Sequence, residues 1–170
     1  GGGGWSGGRE IGVQCGGSMA SNIAVIAHEL THSWTGPLPG ILGEGWASMV
    51  GMRAAAALGF AKEAEDEKRS WMDQFHNAEQ AGTKLDITRA ETERSIFGAC
   101  EGKMMWIVEW LEAKYGADFM PRFLEICRAL KGRQSSSIQE VLYFFSLAAG
   151  EDITPFHREW GITVVPPAAV

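Results

Sequence analysis

Long apolar runs are missing from this 170-residue chain. The longest, around Met104–Val108 and Val141–Ala149, fall far short of the roughly 20 residues that a membrane-spanning helix needs. Basic charge is scarce too. Fifteen Lys and Arg against 21 Asp and Glu leave a net charge of −6, which argues against nucleic acid or an anionic membrane surface as the main partner. No basic segment followed by an apolar one opens the chain, so no signal peptide is evident. The chain begins with Gly rather than Met, as a mature product or a piece excised from a longer protein would. Cysteine is sparse and odd in number. Cys15, Cys100 and Cys127 show no close-spaced metal pattern; one disulfide plus a thiol, or three thiols, are both open, and zinc held by Cys pairs is not supported. No internal repeat is present. Histidine occurs four times: His28, His32, His76 and His157.

What is present suits one folded domain over residues 1–170. Hydrophobic content of 45% and charge of 21% are ordinary for such a domain. Residues 1–17 form a Gly-rich edge segment and 18–165 a helical core. The glycines alone would suit a flexible linker. Arg9 to Gln14, however, alternates and carries β-formers, which predicts a short strand whose glycines let another backbone approach. A helix is expected from Ser18 or Ser21 to Trp34, with Ile23, Ala27, Leu30 and Trp34 on its apolar stripe. Gly36-Pro37-Leu38-Pro39-Gly40 ends it. Further helices are expected over Gly43–Leu58, Ala61–Gln80, Arg89–Tyr115, Asp118–Leu130, Ser137–Ala149 and Asp152–Trp160. Phe75 and Trp71 should face the core, and the charged run Glu63–Arg69 should be a solvated face. The helix holding Met104–Val108 should be the most buried after the one holding His28.

His28-Glu29-Leu30-Thr31-His32 is the stretch with chemistry in it. Two histidines four residues apart lie one turn apart on one helix face. Their imidazoles can hold a single metal ion, with Glu29 beside it. A catalytic zinc takes three protein ligands and leaves its fourth position to water. Glu44 is the candidate third ligand. It follows His32 after eleven residues, across the Pro/Gly turn, between Gly43 and Gly45. Glu44 as a plain helix N-terminal carboxylate is the alternative. With one zinc per chain on His28, His32 and Glu44, a bound water becomes acidic enough to attack a carbonyl. Glu29 then acts as general base and later delivers the proton to the leaving amine. Tyr115, Tyr143, His157 and the arginines are candidates for stabilising the oxyanion. Ser48, Ser21 and Asn22 are candidates for orienting the ligand histidines. His76 and His157 otherwise read as surface or locally bonded.

These residues also carry a family likeness. Val25-Ile26-Ala27-His28-Glu29-Leu30-Thr31-His32-Ser33-Trp34-Thr35-Gly36 resembles the zinc helix of the M1 aminopeptidase family, and Gly43-Glu44-Gly45-Trp46-Ala47 resembles the segment with that family's third ligand. Cys100-Glu101-Gly102-Lys103 is similar to the start of the helix after the family's tyrosine, although Cys100 stands where the tyrosine would be. Gly150 to Ile162 resembles the closing helix of enhancin-type (M60-like) gluzincins. The resemblance implies a mostly α, zincin-like α+β catalytic domain with a short β edge segment at its N-terminus. It also implies a cleft between sheet and helices, with an extended substrate along the edge strand. The implied activity is zinc-dependent hydrolysis of peptide bonds, on a peptide or protein substrate, glycoproteins included. Removal of N-terminal residues, or a binding module that keeps the fold without catalysis, are the alternatives. A secreted or cell-surface setting is implied as well. The gap between His32 and Glu44 is shorter than in the aminopeptidases, and their amine-holding Gly-x-Met-Glu-Asn segment has no counterpart. Gly17 to Asn22 has Ala20 in place of the acid. Glu10 is the one nearby acid left for that role.

Overall fold

The computed structural model describes residues 4–7, 10–14, 16–35, 38–90, 92–131 and 137–159. The fold is mostly α. Strands β1 (Gly4–Gly7) and β2 (Glu10–Val13) pair antiparallel, with Gly4 opposite Val13 and Gly7 opposite Glu10. Seven helices follow among the described residues: α1 (Met19–Thr35), α2 (Gly40–Ala57), α3 (Ala61–Gln80), α4 (Phe97–Tyr115), α5 (Phe119–Lys131), α6 (Ile138–Ala149) and α7 (Thr154–Glu159). Cys15, the chain after Glu159 and the expected cap at Gly161 lie outside the described residues.

α4 is the axis of the core. Cys100, Met105, Ile107, Val108 and Leu111 are fully buried, and Met104 nearly so. This follows from its central stretch Met104–Val108, apolar on every side, while Glu109 and Lys114 in its second half reach the surface. α2 packs across it with Ile41, Leu42, Met49 and Ala55, and α3 packs along it through Phe75. α5 and α6 close the far end around Phe119, Phe123 and Phe145, the last two with ring centroids 4.6 Å apart. α6 starts with a capping box in which Ser137 and Glu140 satisfy each other's backbone amides.

Three expectations change. The helix expected from Arg89 begins at Phe97. Residues Ile87–Arg89 and Arg94–Ile96 form short 3-10 turns instead, the first capped by Asp86, whose carboxylate accepts from the Thr88 amide and hydroxyl. A local side-chain acceptor of this kind competes with helix continuation. α2 begins at Gly40 rather than Gly43, because Pro39 fits the N-cap and Gly40 adopts φ 47°. α1 is turned from its expected stripe and is not the most buried helix. Ala20 and Ala24 face the core, while Trp34 is 69% exposed. Small residues win that face because α1 crosses α2 closely at Ala24 and Gly51, where a Cβ on Gly51 would run into the Ala24 carbonyl. A stripe of large side chains could not approach so near.

Candidate metal centre

α1 and α2 carry the centre. The rings of His28 and His32 meet edge to face, and their Nε2 atoms are 3.0 Å apart. Glu44 reaches both: Oε2 lies 3.2 Å from His28 Nε2 and Oε1 lies 3.6 Å from His32 Nε2. One ligand atom from each residue falls within 4.8 Å of the others, so the three could hold a metal ion. The early start of α2 bears on Glu44. It is the fifth residue of that helix, beyond the first turn in which the helix dipole favours a carboxylate. The attraction that holds it there comes from the histidines. Hydrogen bonds from His28 and then His32 draw its carboxyl down to about 2. The same hydrogen bond to Glu44 raises His32, against burial, which lowers it.

A second layer fixes the His28 ring. Ser48, one turn after Glu44, donates its hydroxyl to Glu101 Oε1 at 2.6 Å and lies 3.1 Å from His28 Nδ1. A hydroxyl has one proton, and this one is spent on the carboxylate. Ser48 therefore accepts from Nδ1–H, which leaves Nε2, the nitrogen that donates to Glu44 here, as the one a metal would take in place of its proton. Glu101 is 5% exposed on α4, and burial pushes its carboxyl above the ordinary range.

Glu29 stands beside the three. It is 6% exposed, lines the same cleft as His28 and Glu44, and its carboxylate makes no hydrogen bond or ion pair among the described residues. β1 lies directly on it. A Cβ at Gly4 would sit 2.6 Å from Glu29 Oε1, so glycine is what lets the hairpin cover this carboxylate. The cleft has a volume of about 300 Å³ and is bounded by β1, α1, α2, α3 and α4.

The other sequence candidates fall elsewhere. Tyr115 donates to Glu151 at the far end of α4, Tyr143 is exposed on α6, and His157 is fully buried with Nε2 3.4 Å from the Leu142 carbonyl. None of them lines the cleft, nor does any described arginine. Burial of His157 lowers it to about 4. Cys100 points into the core, where burial raises its thiol to about 11. Glu10 is exposed on β2, and Ser21 and Asn22 do not reach the ligand rings. His76 is a surface residue near Glu79. Sequence reasoning missed Glu101, Glu67 and Trp71 as parts of the cleft. An acid inside the most apolar helix was the signal for Glu101. Glu67 and Trp71 share a face of α3 at i and i+4, which a reading of the run as solvated conceals.

Comparison of the chain with protein-family models, with curated proteins and with solved structures finds no match. No described helix is long and apolar enough to cross a membrane.

Proposed function

We propose that the chain is a zinc-dependent peptidase of the gluzincin type, with Glu29 as general base. The observation that carries this is the convergence of two histidines and a carboxylate within reach of one metal ion, beside the buried Glu29, whose carboxylate has no hydrogen-bond or ion-pair partner among the described residues. Tetrahedral zinc with bonds of about 2.0–2.1 Å places its ligand atoms roughly 3.3 Å apart. Here the two Nε2 atoms are 3.0 Å apart, each lies 3.2 or 3.6 Å from one of the two Glu44 oxygens, and one ligand atom from each residue falls within 4.8 Å of the others, within a small side-chain adjustment of that spacing. Two imidazoles and one carboxylate are also the donor set of catalytic zinc sites. When bound, zinc would lower the pKa of a water toward neutrality and polarise the scissile carbonyl.

The chain's own residues do the rest. His28, His32 and Glu44 would hold the ion, and Ser48 orients His28 through Nδ1. Glu29, covered by β1 and open to the cleft, accepts a proton from the attacking water and returns it to the leaving amine. Its burial keeps bulk water from competing for that proton.

Metal analysis of the purified protein should find about one zinc per chain, as a three-ligand site requires. Full metal content in His28→Ala would remove the ligand assignment. Glu29→Gln should keep its zinc and lose at least ~100-fold in peptide hydrolysis, the scale of a general base. Unchanged turnover in that variant would end the case for Glu29.

A further inference from the structure

We propose that the α3 wall of the cleft, Glu67 and Trp71 together with Glu101, is a subsite for a positively charged side chain, arginine or lysine, of the bound peptide. The proposal rests on the peptidase reading of the metal centre and adds a substrate class to it.

Among the described residues, the cleft is lined by four carboxylates, Glu29, Glu44, Glu67 and Glu101, and by no Lys or Arg. Glu44 is committed to the two histidines. Ser48 donates to Glu101. Among the described residues neither Glu29, 6% exposed, nor the exposed Glu67 has a hydrogen-bond or ion-pair partner. Glu29 and Glu101 are buried while Glu67 is exposed, and two carboxylates drawn out of water into one cleft lined by acids favour a cation as its occupant. A second metal ion does not fit. Among the described residues, His28, His32 and Glu44 form the only group whose ligand atoms come within 4.8 Å of one another. The remaining acids are too dispersed for a compact ion and suit an elongated organic cation.

Trp71 gives that cation its shape. It lies one turn from Glu67 on the same face of α3, and both line the cleft. A carboxylate beside an indole is the surroundings that a guanidinium uses: it pairs with the one and stacks on the other. Trp71 is also held in place. α3 closes on α4 at Gly102, where a Cβ would strike the Trp71 carbonyl, and a Cβ at Gly98 would lie 3.4 Å from Trp71 Cζ3. Glu67 and Trp71 lie on α3, whereas the three ligands lie on α1 and α2. A substrate's own α-amine is two bonds from its carbonyl carbon and stays near Glu29 and Glu44. A side chain four to six bonds long is what reaches α3.

The test uses N-acetylated, C-amidated peptides that differ in one residue, arginine against its uncharged isostere citrulline. Affinity is measured on zinc-loaded Glu29→Gln protein by fluorescence or calorimetry, and hydrolysis on the wild type. The arginine peptide should bind at least about fivefold more tightly, the scale of one cation–aromatic contact plus one partly exposed ion pair. Glu67→Gln, a change at an exposed position, should reduce that ratio to about twofold or less, and Trp71→Phe should reduce it partly. Equal affinity for the two peptides, or a ratio unchanged by Glu67→Gln, overturns the subsite. Hydrolysis without preference overturns the subsite and leaves the peptidase intact. A preserved preference with no hydrolysis of any peptide does the reverse.

Discussion

At the scale of single residues, the centre depends on groups that never touch the ion. Ser48 and Glu101 decide which nitrogen of His28 faces Glu44 and is available to a metal. Ser48→Ala should therefore weaken zinc binding by roughly 10- to 100-fold, the usual cost of losing an outer partner of a ligand histidine. Competition with a metal-binding dye measures it, and unchanged affinity would mean that the ring is oriented by packing alone. His157 offers a separate test far from the cleft. Its folded value of about 4 lies below the ordinary 6.5, so between those two values the unfolded chain binds more protons. Stability is then greatest above pH 6.5 and falls as the pH drops toward 4, by a few kcal/mol at most on the scale of about 1.4 kcal/mol per unit. Denaturant unfolding of His157→Leu against wild type over this range should show the dependence flattened in the variant.

At the scale of elements, the two helices that hold the ligands are set by small residues rather than large ones. The α1–α2 crossing at Ala24 and Gly51 tolerates no added carbon. Gly51→Ala should cost about 1–3 kcal/mol in unfolding free energy, the usual penalty of overpacking. It should lower zinc affinity as well, because it pushes the histidines away from Glu44. Here the limits of sequence reading are plain. The ends of α3 were legible to the residue, since Gly59 and Gly82 bracket an amphipathic run. The pattern His28-x-x-x-His32 with Glu44 was legible because i, i+4 geometry is local and the Pro/Gly turn is short. The rotation of α1 was not, because its buried face is chosen by how near α2 can come. The start of α4 was hidden by the Asp86 cap, which looks like a helix start and makes a 3-10 turn. Glu101 and Ser48 stand 53 residues apart, and nothing local links them.

At the scale of the whole molecule, metal and fold are linked. His28, His32 and Glu44 come from two helices that pack together, so an ion that binds all three favours the folded chain. Zinc at about 100 times its dissociation constant should add roughly 2.7 kcal/mol, seen as a higher melting temperature that a chelator reverses. A melting temperature indifferent to both would mean that the three residues do not act as one site. The hairpin enters at the same scale. It packs on α1, the helix with both histidines, and its first described residue lies on Glu29. Anything fused just before Gly4 is thus attached to the lid of the proposed base. If Glu29 is the base proposed above, an affinity tag placed there should lower activity without lowering metal content. Moving the tag to the other end, or cutting it away, is the practical corollary of a glycine seated on a carboxylate.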